Sequence, residues 1–218
     1  MIEPELRLIE TSTHGRVLVR RGTRDAGVLV GFHGYAERAG HQFDRLAAIP
    51  GTEAWTLVSI QGLNRFYRGR SQDTIAGWMT REDRDVAIKD NIRYVDAALD
   101  GFDASPPRAL VFTGFSQGVA MAFRAAVRGR RRPLGVVAVG ADVPPELFED
   151  PNPSFPRVLL VRGSRDDWYT QEKMDADRTA LAGRGAAVHA EIVDAGHEWS
   201  AEVSRIAGRF IAELQKTS

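Results

Sequence analysis

The sequence predicts an α/β fold: a mostly parallel β-sheet with helices on both faces and an antiparallel hairpin at its N-terminal edge. Three observations carry this expectation. Five near-continuous apolar runs punctuate the chain, the pattern of strands buried on both faces. Segments with helical spacing separate them, and such alternation requires parallel strands joined by right-handed crossovers. Finally, 43% of the 218 residues are apolar against 27% charged, the composition of an ordered globular chain.

The elements follow in order. Residues 6–10 and 16–20 alternate apolar and polar positions on either side of Ser12, Thr13, His14 and Gly15, which reads as two strands of a hairpin. The buried strands are residues 27–32, 55–60, 109–112, 134–139 and 157–161, and a sixth, 187–193, alternates more and belongs nearer an edge. Ile88, Ile92, Val95 and Leu99 mark the clearest helix, with Thr80 and Asp83 placed upstream as a capping box. Residues 61–79 are the exception. They show little periodicity, yet hold Phe66, Tyr67 and Trp78 among Arg65, Arg68 and Arg70, and long aromatic loops in compact domains are commonly functional. With no linker, repeat or low-complexity tract, residues 1–218 are expected to form a single domain.

Composition removes several function classes. Lys and Arg total 29, as do Asp and Glu, so there is no net field to attract nucleic acid or an anionic membrane. The cluster Arg128, Arg130, Arg131 and Arg132 reads as cations at a helix C-terminus. The absence of cysteine excludes disulfides, thiolate metal sites and a cysteine nucleophile. His33 and His41 lie outside any H-E-x-x-H pattern, so no metal is expected. Glu3, Pro4, Glu5, Arg7 and Glu10 interrupt the start of the chain, and no apolar stretch has the length of a signal peptide or a membrane span. The expectation is a cytoplasmic protein without stable membrane insertion.

The chemistry points to one place. Leu110, Val111 and Phe112 run into Gly114-Phe115-Ser116-Gln117-Gly118 and then into a helix rich in small residues. A strand, a G-x-S-x-G turn and a helix make the context of a nucleophile elbow, with Ser116 exposed above the sheet. A serine hydroxyl needs a base and an orienting carboxylate, and in this architecture they follow in the order Ser, Asp or Glu, His. Only His189 and His197 come after Ser116. His189 lies within a predicted strand, whereas His197 sits in the loop that follows, which makes His197 the candidate base. Asp166 and Asp167 directly follow a strand, where ligands of open α/β sheets bind, and Asp142 holds a similar place one strand earlier. Asp194 and Glu198 read as structural. The oxyanion would be met by the N–H of Gln117 and, within Phe32-His33-Gly34-Tyr35, that of Tyr35.

These residues resemble the phospholipase/carboxylesterase family of the α/β-hydrolase superfamily, which includes the acyl-protein thioesterases, from about Val28 onward. The resemblance rests on His33-Gly34, Gly114 to Gly118, the Gly163 to Asp166 turn, Gly196-His197 and a Trp78 before the long helix. It implies an α/β-hydrolase fold, a triad of Ser116, Asp166 and His197, N–H groups from Tyr35 and Gln117, and no cofactor. Asp166 falls at the family's position, while Val143-Pro144-Pro145 suggests a turn role for Asp142. The sequence departs from the thioesterases in its arginine-laden segment around Phe66 to Arg70. It also has Tyr35-Ala36-Glu37 where the family usually reads a small apolar residue, Gly and Asp.

The expected activity is hydrolysis of small to medium carboxylic esters through an acyl-Ser116 intermediate, with Phe66, Tyr67 and Trp78 lining an acyl or alcohol pocket. One alternative is an acyl-protein thioesterase or lysophospholipase, which would need a groove for a long acyl chain. Another is a non-catalytic binding module on the same fold. The expected partner is a small-molecule ester; the oligomeric state is open, a homodimer being one option.

Overall fold

A computed structural model describes residues 3–23, 26–100 and 109–216. The first half contains β1 (Arg16–Arg20), β2 (Val28–Phe32), α1 (Ala39–Ala47), β3 (Thr56–Gln61), β4 (Asn64–Tyr67), β5 (Thr74–Gly77) and α2 (Arg84–Asp100). The second contains β6 (Leu110–Phe115), α3 (Gln117–Arg128), β7 (Gly135–Val139), β8 (Arg157–Gly163), α4 (Gln171–Gly183), β9 (Val188–Val193) and α5 (Ala201–Lys216). Seven strands form one sheet in the order β1-β3-β2-β6-β7-β8-β9, antiparallel only between β1 and β3.

The apolar runs explain the layering. Along each central strand, alternate residues enter opposite cores, because successive side chains leave a strand on opposite faces. Val30, Val58, Phe112, Val136 and Val158 meet Val95 and Leu99 of α2, Val119 and Phe123 of α3, and Met174 and Leu181 of α4. Leu29, Leu57, Val111, Val137 and Leu159 meet Leu46 of α1 and Val203, Phe210 and Leu214 of α5. Helix α1 therefore lies on one face and α3 on the other. The path β2–α1–β3 runs one way across the sheet and β6–α3–β7 the other, so right-handed crossovers must put the two helices on opposite faces. The carboxyl ends of β2 and β6 consequently lie side by side at a topological switch point, where the crevice of such sheets opens.

Three details differ from the sequence reading. The antiparallel element at the N-terminal edge is present in a different pairing: β1 pairs with β3, Arg16 opposite Gln61, while residues 6–10 form no strand. Leu6 and Ile9 are each 82% exposed and have no apolar surface to cover, whereas β3 offers β1 the open edge of a buried sheet. Residues 61–79 contain an ordered antiparallel ribbon of β4 and β5, invisible to periodicity because β4 is exposed at every position. The capping box before α2 does not form. Thr80 donates to the Glu82 carbonyl, and Asp83 takes a left-handed conformation at φ 49°.

Candidate active site

Ser116 joins β6 to α3 with φ 50° and ψ −124°, a conformation that costs a non-glycine residue on the order of 1–3 kcal/mol. The surroundings impose it. The Ser116 N–H donates to the Val139 carbonyl at 2.9 Å, and its own carbonyl accepts from Val119 N–H at 2.9 Å. A Cβ at position 118 would stand 2.0 Å from the Phe32 carbonyl oxygen, and one at 114 would stand 2.5 Å from that of Gly118. The backbones of β2, β6 and α3 thus touch directly, which only glycine permits.

The loops after β8 and β9 are bound together by the same means. A Cβ at Gly163 would lie 2.2 Å from the Gly196 carbonyl oxygen. Ser164 N–H donates to Val193 at 2.7 Å and Arg165 N–H to Ala195 at 2.9 Å. This brings Asp166 against His197. One Asp166 oxygen accepts from the N–H groups of Trp168 at 2.9 Å and Tyr169 at 3.0 Å, which fixes the carboxylate and turns the other oxygen to His197 Nδ1 at 2.9 Å. The Asp166 side chain is 1% exposed, that of His197 26%. His197 Nε2 lies 3.0 Å from Ser116 Oγ. Gly140, at φ 73°, makes room for the imidazole, since a Cβ there would stand 3.1 Å from His197 Cε1. Phe115 packs on the ring's face at 5.1 Å.

The alternative groups lie elsewhere. Asp142 is exposed and faces Lys173 at 3.8 Å, and Asp167 is exposed. Asp194 pairs with Arg165, Glu198 accepts from Gly196 N–H at 3.4 Å, and His189 packs edge-on to Phe210.

The loop after β2 is braced from beneath. His33 is fully buried; its Nε2 accepts from Gly62 N–H at 2.9 Å and its Nδ1 donates to the Gly34 carbonyl at 2.7 Å, so the ring is neutral. Burial pushes its pKa down. Glu37 accepts from Gly34 N–H at 2.8 Å and from both terminal nitrogens of Arg45 at 2.6 Å. Burial alone would raise the Glu37 carboxyl, but the Arg45 hydrogen bonds and charge hold it below the usual carboxylate range. The Arg45 guanidinium lies 4.2 Å over Phe115, the ring that packs on His197. The Gln117 side chain is held by Trp78 N–H at 2.8 Å and the Met79 carbonyl at 3.2 Å. Among the described residues, no acceptor is bonded to the backbone N–H of Tyr35 or Gln117.

The three residues expected to line a pocket separate. Phe66 on β4 is 36% exposed with its ring 5.6 Å from that of Tyr35, and Tyr67 is 69% exposed. Trp78 is a correction: it has no exposed surface, donates from Nε1 to the His33 carbonyl at 2.9 Å and packs against Phe32 and His33. A sealed indole braces the loop and cannot line an open pocket. Glu37, Arg45 and Gly140 were missed, as was Trp168, 73% exposed beside Asp166. A glycine just past the β7 run was the available signal for Gly140; Glu37 showed only as a departure from the family's pattern, and Arg45, eight residues on across a helix start, gave none. A cavity of about 370 Å³ at the start of α2, lined by Arg81, Asp83, Arg84, Asp85 and Val86, includes no residue of this site. Among the described residues, no cluster of three or more His, Asp or Glu side chains is placed to hold a metal ion, and no helix is long and apolar enough to cross a membrane.

No protein-family model matches the sequence, and no curated protein matches it. Solved structures do match. Esterase PE8 superposes with a TM-score of 0.70 at 21% identity, over 92% of this chain and 98% of that one. Acyl-protein thioesterase 2 of Zea mays gives 0.71 at 17% identity, over 93% and 100%. The Bacillus cereus carboxylesterase gives 0.70 at 16% identity, over 92% and 94%. With the sheet order, the elbow at Ser116 and these superpositions over nearly the whole chain, the protein has the α/β-hydrolase fold.

Proposed function

We propose that the chain is a serine hydrolase that cleaves small to medium carboxylic esters through an acyl-Ser116 intermediate. The observation that carries this is the continuous line from Ser116 Oγ to His197 Nε2, at 3.0 Å, and from His197 Nδ1 to Asp166, at 2.9 Å. A carboxylate can only accept, so Asp166 fixes the proton on Nδ1 and leaves Nε2 to take the serine proton. Attack of Oγ on the ester carbonyl forms a tetrahedral oxyanion. The N–H groups of Tyr35 and Gln117 meet it, preorganised because His33, Glu37 and the Gln117 side chain leave their backbones no freedom. The imidazolium then protonates the departing alcohol, and water repeats the sequence to release the acid.

The named esterases and the thioesterase of the same fold support this reaction class. The thioesterase among them keeps a second reading in view, a long-chain acyl substrate, which a chain-length series of esters and thioesters distinguishes. In this reading the protein acts in the cytoplasm as one domain, on a small-molecule ester, with no role for nucleic acid.

The test is labelling by a fluorophosphonate followed by mapping of the modified residue, together with Ser116→Ala. We expect the label on Ser116, and loss of p-nitrophenyl ester hydrolysis by at least ~10³-fold with unfolding unchanged. A variant that keeps a tenth of the activity rejects the assignment.

A further inference from the structure

The arginine-laden ribbon is the one conspicuous sequence feature that the proposed chemistry leaves unused. It is registered onto the oxyanion loop by backbone bonds. Ala36 N–H donates to the Ala76 carbonyl at 3.0 Å and Ala76 N–H to the Glu37 carbonyl at 2.8 Å, so residues 36–37 form a third rail beside β5 and β4. Phe66 and Tyr35 then stand with ring centres 5.6 Å apart. The Tyr35 ring lies over Gly77, where a Cβ would be 3.2 Å from Tyr35 and 3.4 Å from the side chain of Gln117, the residue after Ser116. Arg68 reaches back to the same loop and donates from one terminal nitrogen to the Ala36 carbonyl at 2.9 Å, one residue from the Tyr35 N–H.

Charge completes the picture. Arg128, Arg130 and Arg131 are all paired with Asp side chains. Arg65, Arg68 and Arg70 are exposed, and among the described residues none is paired with a carboxylate; Asp73 is the ribbon's one acidic residue. Arg68 uses one N–H on Ala36 and retains a planar set of donors suited to a bidentate anion. An exposed, flat aromatic pair beside an uncompensated guanidinium is poor design for a purely alkyl ester, which gains nothing from the cation.

We propose that the ribbon selects esters bearing an anionic group, foremost a carboxylate, close to the scissile bond, with Arg68 as the cationic contact and the Tyr35–Phe66 pair as the apolar one. This rests on the ester-cleaving reading of Ser116 and names its substrate class. The carboxylate can belong to the acyl or to the alcohol half, and the test separates them.

The experiment compares kcat/KM for 4-acetoxybenzoate with its methyl ester, and for mono-4-nitrophenyl adipate with its methyl ester, in low and high salt. We expect wild type to favour the anionic member of at least one pair by about tenfold at low salt, the size of one partly exposed charge-assisted hydrogen bond, with the preference shrinking as salt screens it. Arg68→Gln should bring that ratio to about one and Arg68→Lys retain part of it. Arg178→Gln, on α4, should keep the wild-type ratio. Equal or poorer turnover of the anionic member in both pairs overturns the proposal, as does an unchanged ratio in Arg68→Gln. Turnover of the neutral esters in that case leaves the ester-cleaving reading standing. Failure to turn over any ester, with no fluorophosphonate label, removes that reading and this one together.

Discussion

The loop after β2 and the β4–β5 ribbon are hydrogen-bonded neighbours, yet they are built in opposite ways. The loop rests on polar groups that are all engaged: His33 buried between two backbone groups, Glu37 half-buried between Gly34 and Arg45, Trp78 sealed beneath. The ribbon is exposed along the whole of β4 and ends in arginines without carboxylate partners among the described residues. The contrast assigns work. Groups that must hold an atom in place are buried and fully satisfied, because an unsatisfied buried group is costly, while groups that must meet an incoming molecule keep their donors and faces open.

Four expected outcomes break or sharpen that contrast. The largest concerns the rigid side: Asp166→Asn should lose at least ~100-fold in kcat, since the serine-protease precedent for removing this carboxylate is about 10⁴. Asp142→Asn and Asp167→Asn, both exposed while His197 Nδ1 is bonded to Asp166, should each lose less than ~tenfold; steady-state kinetics that reverse this ranking would move the orienting carboxylate. Next, Trp78→Ala should cost roughly 3–5 kcal/mol of stability, read by chemical denaturation. Phe66→Ala should leave stability within about 1 kcal/mol and instead alter relative kcat/KM across acyl lengths. Equal effects of the two on both readouts would erase the distinction between brace and rim.

A third, smaller effect is expected at Glu37. Glu37→Gln keeps an acceptor for Gly34 N–H but loses the ionic fork to Arg45, so kcat should fall about tenfold with KM nearly constant, as for a misplaced oxyanion donor. A change confined to KM would instead put Glu37 in substrate binding. The smallest effect is in pH dependence. Burial pushes the Asp177 carboxyl up to about 6, even though it accepts from Val143 N–H and Tyr169 O–H. A raised folded pKa means that the folded state binds the proton more tightly, so this stabilisation is complete below the ordinary carboxylate range and is lost as pH rises through about 6. His33 acts in the other direction, its pKa being lowered, and favours the fold at neutral pH over acid. Asp177→Asn should therefore raise Tm by a few degrees at pH ~7, taking ~1 kcal/mol, and by less at pH ~4.5. A gain that is the same at both pH values would show that Asp177 titration does not contribute.

What the sequence revealed follows the same division. The elbow was legible because its constraints are local: Gly114, Ser116 and Gly118 are two residues apart, between an apolar strand and a helix of small residues. His197 was legible as the histidine just past the last apolar run, and Asp166 as one of three acids at such places, Asp142 and Asp167 being the others, singled out by its match to the family's pattern. Trp78 was misread as a pocket wall because its burial depends on Phe32 and His33, far off in sequence. The partner of β1 was missed for the same reason, strand choice being a long-range matter. The ribbon was read as a loop because exposure on both sides of β4 leaves no alternation to detect.

The ribbon's attachment has a consequence of another kind. Asn64 at its start pairs with Gly77 at its end, and Gly62 approaches the Gly77 carbonyl so closely that a Cβ would lie 2.6 Å away. The excursion therefore leaves the body and returns at one place, where residues 75–77 are buried and Ala76 is bonded to residues 36 and 37, and its exposed stretch, residues 64–74, is held like a cassette in that frame. Its length and lettering can be exchanged without changing the span between β3 and α2 or the path of any strand in the sheet. In a lineage of such chains, new preferences would arise by replacing this cassette while the apparatus beneath it is inherited intact.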